Sequence, residues 1–214
     1  MLRIILFFQA CIFSFVISAQ TDSAFIVNQI KEKGGYSVLL KRFIDSDSTL
    51  KPSDFKLLYY GFRYEPTYKP LESEFHENLL KAYNRAMRYK DAVAIADSVL
   101  IQNPVSLRAY FEKAYSSAQM MKHDEEAYNR KRYIVLCNVI KNSGSGTPES
   151  PFITISVNDA LEFLAYLGLP ALDDRKLANG LIEFDLAKNK LKKMHLYFSI
   201  PSEAYIPPTP IESE

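Results

Sequence analysis

His76-Glu77-Asn78-Leu79-Leu80-Lys81-Ala82-Tyr83-Asn84-Arg85-Ala86-Met87-Arg88-Tyr89-Lys90-Asp91-Ala92-Val93-Ala94-Ile95-Ala96-Asp97-Ser98-Val99-Leu100-Ile101-Gln102-Asn103-Pro104 reads as two helices folded against each other. Leu79 and Tyr83 stand four residues apart, so they share one helix face. Small Ala92 lies where a second helix crosses the first, and helix axes approach closely only where no bulky side chain intervenes. Pro104 ends the second helix, because it has no backbone N–H to donate.

The order of large, aromatic, small and proline at Leu79, Tyr83, Ala92 and Pro104 resembles a tetratricopeptide unit, which recurs about every 34 residues. One such step after His76 stands Tyr110, and Ala114 falls where Leu80 stands in the first unit. The second unit then drifts, with Glu126 where alanine is expected and Ala127 one place late. A tetratricopeptide-like array is the main reading, although any bundle of antiparallel helical hairpins reproduces part of the pattern.

Working outward, apolar residues recur at helical spacing from Asp22 to Asn142, which predicts six helices. The first is capped at Asp22 or Ser23, points Phe25, Val27 and Ile30 inward, and stops at Gly34-Gly35. The second carries Leu39, Leu40, Phe43 and Ile44. The third starts at Pro52, sets Phe55, Leu58, Tyr59 and Phe62 on one side and ends near Gly61. An aromatic loop from Arg63 to Pro70 follows.

At Asn142 the pattern changes. Residues 143–151 hold two glycines and two prolines and read as a loop. Ile153, Ile155 and Val157 then alternate with Thr154 and Ser156 as a half-buried strand. Asn158 or Asp159 caps a helix with Leu161, Leu164, Ala165 and Leu167 inward, ended by Gly168. Residues 182–186 and 194–200 alternate as two more strands around a hairpin loop at Lys188-Asn189-Lys190. This β-α-β-β unit over residues 152–200 is too small to stand alone, so it should dock on the helices. The fold class is mainly α with a small α+β C-terminal part, and residues 201–214 form a proline-rich tail.

Before the helices, Met1-Leu2-Arg3, the uncharged apolar run Ile4 to Ile17 and small Ser18-Ala19 have the order of a secretory signal peptide. The run is shorter than the roughly 20 apolar residues of a membrane span. An uncleaved anchor, or lipid attachment at Cys11, would be the other outcomes. The expectation is a mature chain from about Gln20, exported to the periplasm or secreted, with no stable membrane span.

Cleavage removes Arg3 and leaves 25 basic against 25 acidic residues, a neutral chain with no field to steer it to nucleic acid. It also removes Cys11, so Cys137 has no disulfide partner and stability must come from a packed core. The 48% of apolar residues suffice for one.

Two blocks of residues resemble a known family. Leu58-Tyr59-Tyr60-Gly61-Phe62 is followed by Tyr68 and Pro70, and Gly144 to Pro151 is followed by Phe152-Ile153-Thr154-Ile155-Ser156-Val157-Asn158-Asp159 and Leu164-Ala165-Tyr166-Leu167-Gly168-Leu169. Together they are similar to the exported bacterial family called domain of unknown function 4919, over nearly the whole mature chain. The resemblance implies a secreted or periplasmic protein of a Gram-negative, Bacteroides-type bacterium. It implies no activity.

The sequence offers few catalytic groups. His76-Glu77 begins like a zinc-protease helix, but Leu80 stands where the second histidine is needed, so His76 reads as a surface position. His123 lies among Asp124, Glu125 and Glu126 as part of a solvated cluster. His195 faces Glu183 or Asp185 across a hairpin, as an ordinary surface pair. Asp45-Ser46-Asp47-Ser48 lacks the glycine and glutamate of a calcium loop. Gly144-Ser145-Gly146 precedes a strand instead of following one, unlike a nucleophile elbow. Cys137 sits in an apolar run that suppresses its thiolate.

No catalytic, metal or cofactor site is therefore expected. The candidate partner-binding residues are Tyr59, Tyr60, Arg63, Tyr64 and Tyr68, since aromatic rings with polar tips suit peptide or sugar surfaces; the same rings could instead pin a small core. The expected function is a non-enzymatic interaction module for another envelope protein or a peptide. An envelope hydrolase acting on glycan or peptide, and a structural subunit of an envelope complex, are the alternatives.

Overall fold

The computed structural model describes residues 23–206. The expected signal peptide, Cys11 and the end of the proline-rich tail lie outside the described residues. Among the described residues seven α-helices precede the C-terminal third, one more than the periodicity predicts: α1 (Ser23–Glu32), α2 (Tyr36–Ile44), α3 (Pro52–Gly61), α4 (Pro70–Arg85), α5 (Tyr89–Gln102), α6 (Leu107–Gln119) and α7 (His123–Lys141). Both helices of the drifted second unit form. Among the described residues, no helix is long and apolar enough to cross a membrane.

The turns after α4 and α6 explain why the second pair survives its sequence drift. Met87 and Met121, thirty-four residues apart, both have φ of 58°. Arg88 N donates to Tyr83 O and Met87 N to Asn84 O, at 2.9 and 3.0 Å; Lys122 N to Ser117 O and Met121 N to Ala118 O repeat the same bonds at the same distances. This is a helix C-cap that satisfies the last carbonyls, built twice with one period. Ala92, Ala96 and Ala109 are fully buried with Leu80, which lets α4, α5 and α6 approach closely.

Some inward faces differ from expectation. In α1, Ile26 and Ile30 are buried and Phe25 is exposed, because the stripe that meets α3 runs at i and i+4. Gly34 and Gly35, with φ of 89° and 98°, end α1 where expected. Ile44 is exposed at the end of α2. In α3 burial runs from Leu57 to Phe62 without a polar face, since this helix is central. Gly61 lies against α1: an added Cβ would run into Ile30 Cδ1.

Beyond the loop come β1 (Phe152–Ile153), α8 (Val157–Tyr166), β2 (Ala171–Lys176), β3 (Ile182–Leu186) and β4 (His195–Ser199), with strand order β1-β4-β3-β2. β1 runs parallel to β4 and the other pairs are antiparallel. Two corrections follow. The first strand spans two residues, not five, because Ser156 caps a helix: its side chain accepts from Asp159 N, and Val157 is already helical. The edge strand β2 escapes an apolar pattern search because Asp173, Asp174, Arg175 and Lys176 line it, as charged residues often protect an open edge.

Of the expected stripe Leu164 is buried, Leu161 and Leu167 are half-buried and Ala165 is exposed, and Ala160 and Phe163 complete the buried face of α8. The helix is rotated because Asp159 and Glu162 are also buried, each against a partner on another helix. One core joins helices and sheet, from Phe43 and Leu136 to Phe163, Phe184 and Phe198. The C-terminal unit thus docks on the helical part as expected. The tail begins with a short 3-10 turn at Ser202–Ala204 that buries Ala204 and Tyr205, so its first residues are packed, not extended.

Candidate functional site

The five candidate residues separate by depth. Tyr59 is wholly enclosed, and a ring without exposed surface cannot meet a partner. Its hydroxyl donates to Asp159 Oδ2 at 2.9 Å and accepts from Ile155 N at 3.3 Å. Tyr60 is buried and donates to Ile153 O at 3.2 Å; half-buried Tyr68 donates to Ile155 O at 2.5 Å. These three phenols fasten α3 and the loop after it to residues 153–159, so for Tyr59 the core alternative is the correct one. Burial holds all three well above the usual phenol range, which keeps them protonated as donors.

Arg63 and Tyr64 stay at the surface. Arg63 Nη2 lies 2.8 Å from Glu203 Oε1 and ties the 3-10 turn after α3 to the one after β4. Arg63, Tyr64 and the edge of Tyr60 border a cleft of about 220 Å³ closed by Ile26, Ile153 and Pro201. Tyr60, Arg63 and Tyr64 therefore line one cleft, while Tyr59 packs edge-on behind Tyr60 and Tyr68 lies outside the lining.

A larger depression lies on the other side of Tyr60. Pro52, Phe55 and Tyr60 of α3 face Val135 and Val139 of α7 across a groove of about 500 Å³. A second hollow of about 240 Å³ beside Phe43 and Leu50 adjoins it, with Phe55 and Val135 lining both. The α7 residues involved run from Lys131 to Val139, a length of about 12 Å at 1.5 Å per residue, and Asn142 lies just past the helix end. Lys56, Lys131 and Arg132 stand along it and Asp47 is its one carboxylate.

The paired carboxyl groups lie elsewhere, enclosed where α4, α6 and α8 meet. Glu77 accepts from Ser106 Oγ and Asn158 Nδ2, both at 2.5 Å. Glu162 pairs with Arg108 at 2.7 Å, and Glu112 accepts from Asn84 Nδ2 at 2.7 Å. Burial and then the neighbouring Glu77 push Asp159 up to about 7; burial also raises Glu77 and Glu112. Arg108 is the only cation bonded within this group, so full ionisation would leave it strongly negative in a poorly solvated place. The space beside Glu77 holds no more than about 10 Å³.

The other singled-out residues sit as the sequence suggests. His76 is exposed with Nδ1 near Glu72 O, and His123 is exposed 3.7 Å from Glu126. Asp47 accepts from Thr49 and Arg42 in a turn after α2, and these bonds hold its carboxyl down at about 2. Cys137 is buried and burial raises its thiol. His195 meets Asp185 across the β3–β4 hairpin at 2.7 Å.

A family model described as Domain of unknown function (DUF4919) matches residues 25–205. The chain belongs to this family. The matched span takes in every helix from Phe25 of α1 onward, the whole sheet and the turn ending in Tyr205, so the groove and the enclosed carboxyl group both fall within the DUF4919 region. No curated protein and no solved structure matches the chain.

The DUF4919 groove was missed in the sequence because Val135 and Val139 belong to an apolar run already assigned to the core. The signal was present in that α7 is apolar on more than one face. Tyr133, Leu136, Cys137 and Ile140 fill the interior, leaving Val135 and Val139 half-covered on another side.

Proposed function

We propose that this protein is a non-enzymatic peptide- or protein-binding module, exported to the periplasm or beyond, that takes an apolar peptide segment with an acidic flank. The apolar groove between α3 and α7, with the hollow that adjoins it at Phe55 and Val135, carries this reading. Its floor of Phe55, Tyr60, Val135 and Val139 suits apolar side chains, and Lys56 and Lys131 favour negative charge beside them. The repeated hairpins α4–α5 and α6–α7 support a tetratricopeptide-like scaffold, and arrays of this kind present extended concave surfaces. Tyr60 lines both the groove and the cleft with Arg63 and Tyr64, so one residue of the aromatic segment borders the two. The order of a short basic start, an uncharged apolar run and small residues from Met1 to Ala19 supports export.

The hydrolase alternative fares worse. Its paired carboxylates would have to be those around Asp159, which have no room beside them for a sugar or a peptide bond.

The test is photo-crosslinking in envelope extracts of the source organism, with a reactive amino acid at Asn138 or, as control, at exposed Lys90. Crosslinks from Asn138 to one partner and none from Lys90 are expected. Val139→Glu and the gentler surface change Lys56→Glu should each abolish or weaken them while circular dichroism stays unchanged. Equal crosslinking from both positions, or indifference to both substitutions, would rule the groove out.

A further inference from the structure

The outer face of the sheet gathers side chains that the groove does not use. Asp185 pairs with His195 and Glu183 with Tyr197 across β3 and β4, while Arg175 of β2 pairs with Glu183. Directly paired residues and those two apart on a strand share a face, so all five stand together. Asp173, opposite Asp185, adds a further negative charge beside them.

The carboxylate oxygens are divided between two neighbours. Arg175 takes one oxygen of each: Nη2 lies 2.7 Å from Glu183 Oε2 and Nη1 3.2 Å from Asp185 Oδ2. The other oxygens turn to the imidazole, with His195 Nδ1 at 2.7 Å from Asp185 Oδ1 and 3.4 Å from Glu183 Oε1. A nitrogen and two carboxylate oxygens thus converge without drawing on the pair held by the guanidinium. One ligand atom from each of the three residues lies within 4.8 Å of the others.

We propose that Glu183, Asp185 and His195 form a binding site for a divalent first-row transition ion of the zinc class. Such an ion binds imidazole nitrogen and carboxylate oxygen at about 2.0–2.2 Å, which sets tetrahedral donors roughly 3.4 Å apart. The Glu183 separation already has that value, and the Asp185 contact needs to open by about 0.7 Å. The two residues that must turn are the accessible ones: the Asp185 and His195 side chains are 32% and 36% exposed, against 8% for Glu183. That exposure also gives the ion its path in and leaves a fourth position for water or a partner's side chain.

Arg175 and Tyr197 have a role in this arrangement as orienting partners. Tyr197 OH donates to Glu183 Oε1 at 2.9 Å, and the guanidinium fixes the far oxygens, as hydrogen-bonded neighbours commonly do around metal ligands. Two carboxylates against one guanidinium leave a net negative charge for a dication to complete. An imidazole among only two carboxylates favours zinc, nickel or copper over magnesium or calcium, which require more oxygens.

The test uses the full chain with His76→Ala and His123→Ala, which leaves His195 as the single imidazole, and no histidine tag. Calorimetric titration with zinc should show one ion per chain and a raised melting temperature, while magnesium should give no saturable binding. Glu183→Gln, of equal size, and His195→Ala should each weaken zinc binding at least tenfold, with unchanged circular dichroism for Glu183→Gln. Absence of one-to-one zinc binding, retention of it in Glu183→Gln, or equal binding of magnesium would overturn the assignment.

Discussion

Asp159→Asn probes how the C-terminal unit is locked to the helices. The Asp159 carboxyl accepts from Tyr59 OH at 2.9 Å and from Leu107 N at 3.4 Å, so one side chain joins α8 to both α3 and α6. Burial, followed by Glu77, pushes its pKa from 3.8 to about 7. The folded state therefore holds this proton more tightly than the unfolded chain does. Below about pH 4 the group is protonated in both states and costs nothing. As pH rises from about 4 to about 7 the unfolded chain ionises while the folded one resists, and stability is lost until the folded group also ionises near 7. A shift of roughly three units at about 1.4 kcal/mol each gives a loss of about 4 kcal/mol across that window. Urea unfolding at pH 5 and pH 8 samples about 3 kcal/mol of it. Glu77, also raised by burial, acts in the same direction. The Asp159→Asn variant has nothing to ionise there, so its change between the two pH values should be smaller than the wild type's by about 3 kcal/mol. Parallel pH dependences for the two proteins would refute the reasoning.

The helix-turn methionines and the helix crossing give two more tests. Met87 and Met121 hold left-handed backbone with exposed side chains, so Met87→Gly and Met121→Gly should each stabilise by about 0.5–1 kcal/mol and add in the double variant, read by calorimetric melting; no gain would remove the strain argument. Gly61→Ala should cost about 1–3 kcal/mol by overpacking against Ile30 Cδ1, and Ile30→Val, which lacks that atom, should restore much of the loss in chemical denaturation; purely additive losses would show that the close approach does not matter.

The helical part was legible because its signals are local. Gly34-Gly35, Pro52, Ala92 and Pro104 each act on their own turn or crossing, and all four do in the fold what their chemistry suggests. The C-terminal unit was less legible because tertiary partners decide it. Ile155 and Val157 alternate like strand residues, yet Ser156 can cap a helix and Asp159 has a buried phenol to meet, so the helix wins at Val157. Edge strand β2 pairs with β3 through mostly exposed, charged residues and shows no apolar alternation, which left nothing for a periodicity search to find. The candidate site was half-legible for a similar reason. Tyr59, Tyr60 and Tyr64 look alike in sequence, and only the position of residues 153–159, about a hundred residues on, buries the first two and leaves the third at the surface.

The distribution of chemistry over the molecule bears on the choice between binding and catalysis. Acid–base work needs titratable groups that substrate can reach. Here Glu77, Glu112 and Asp159, three of the carboxyls that burial raises, are turned inward and joined to Ser106, Asn158, Asn84 and Tyr59, where they connect α8 with α3, α4 and α6. Solvent instead meets the apolar walls of the α3–α7 groove, whose residues remain half-covered although the same helices bury their other faces completely. Leaving Phe55, Val135 and Val139 partly wet forgoes about 25 cal/mol for each Å² of apolar surface that a covering element would remove from water. A partner's apolar side chains would recover that free energy.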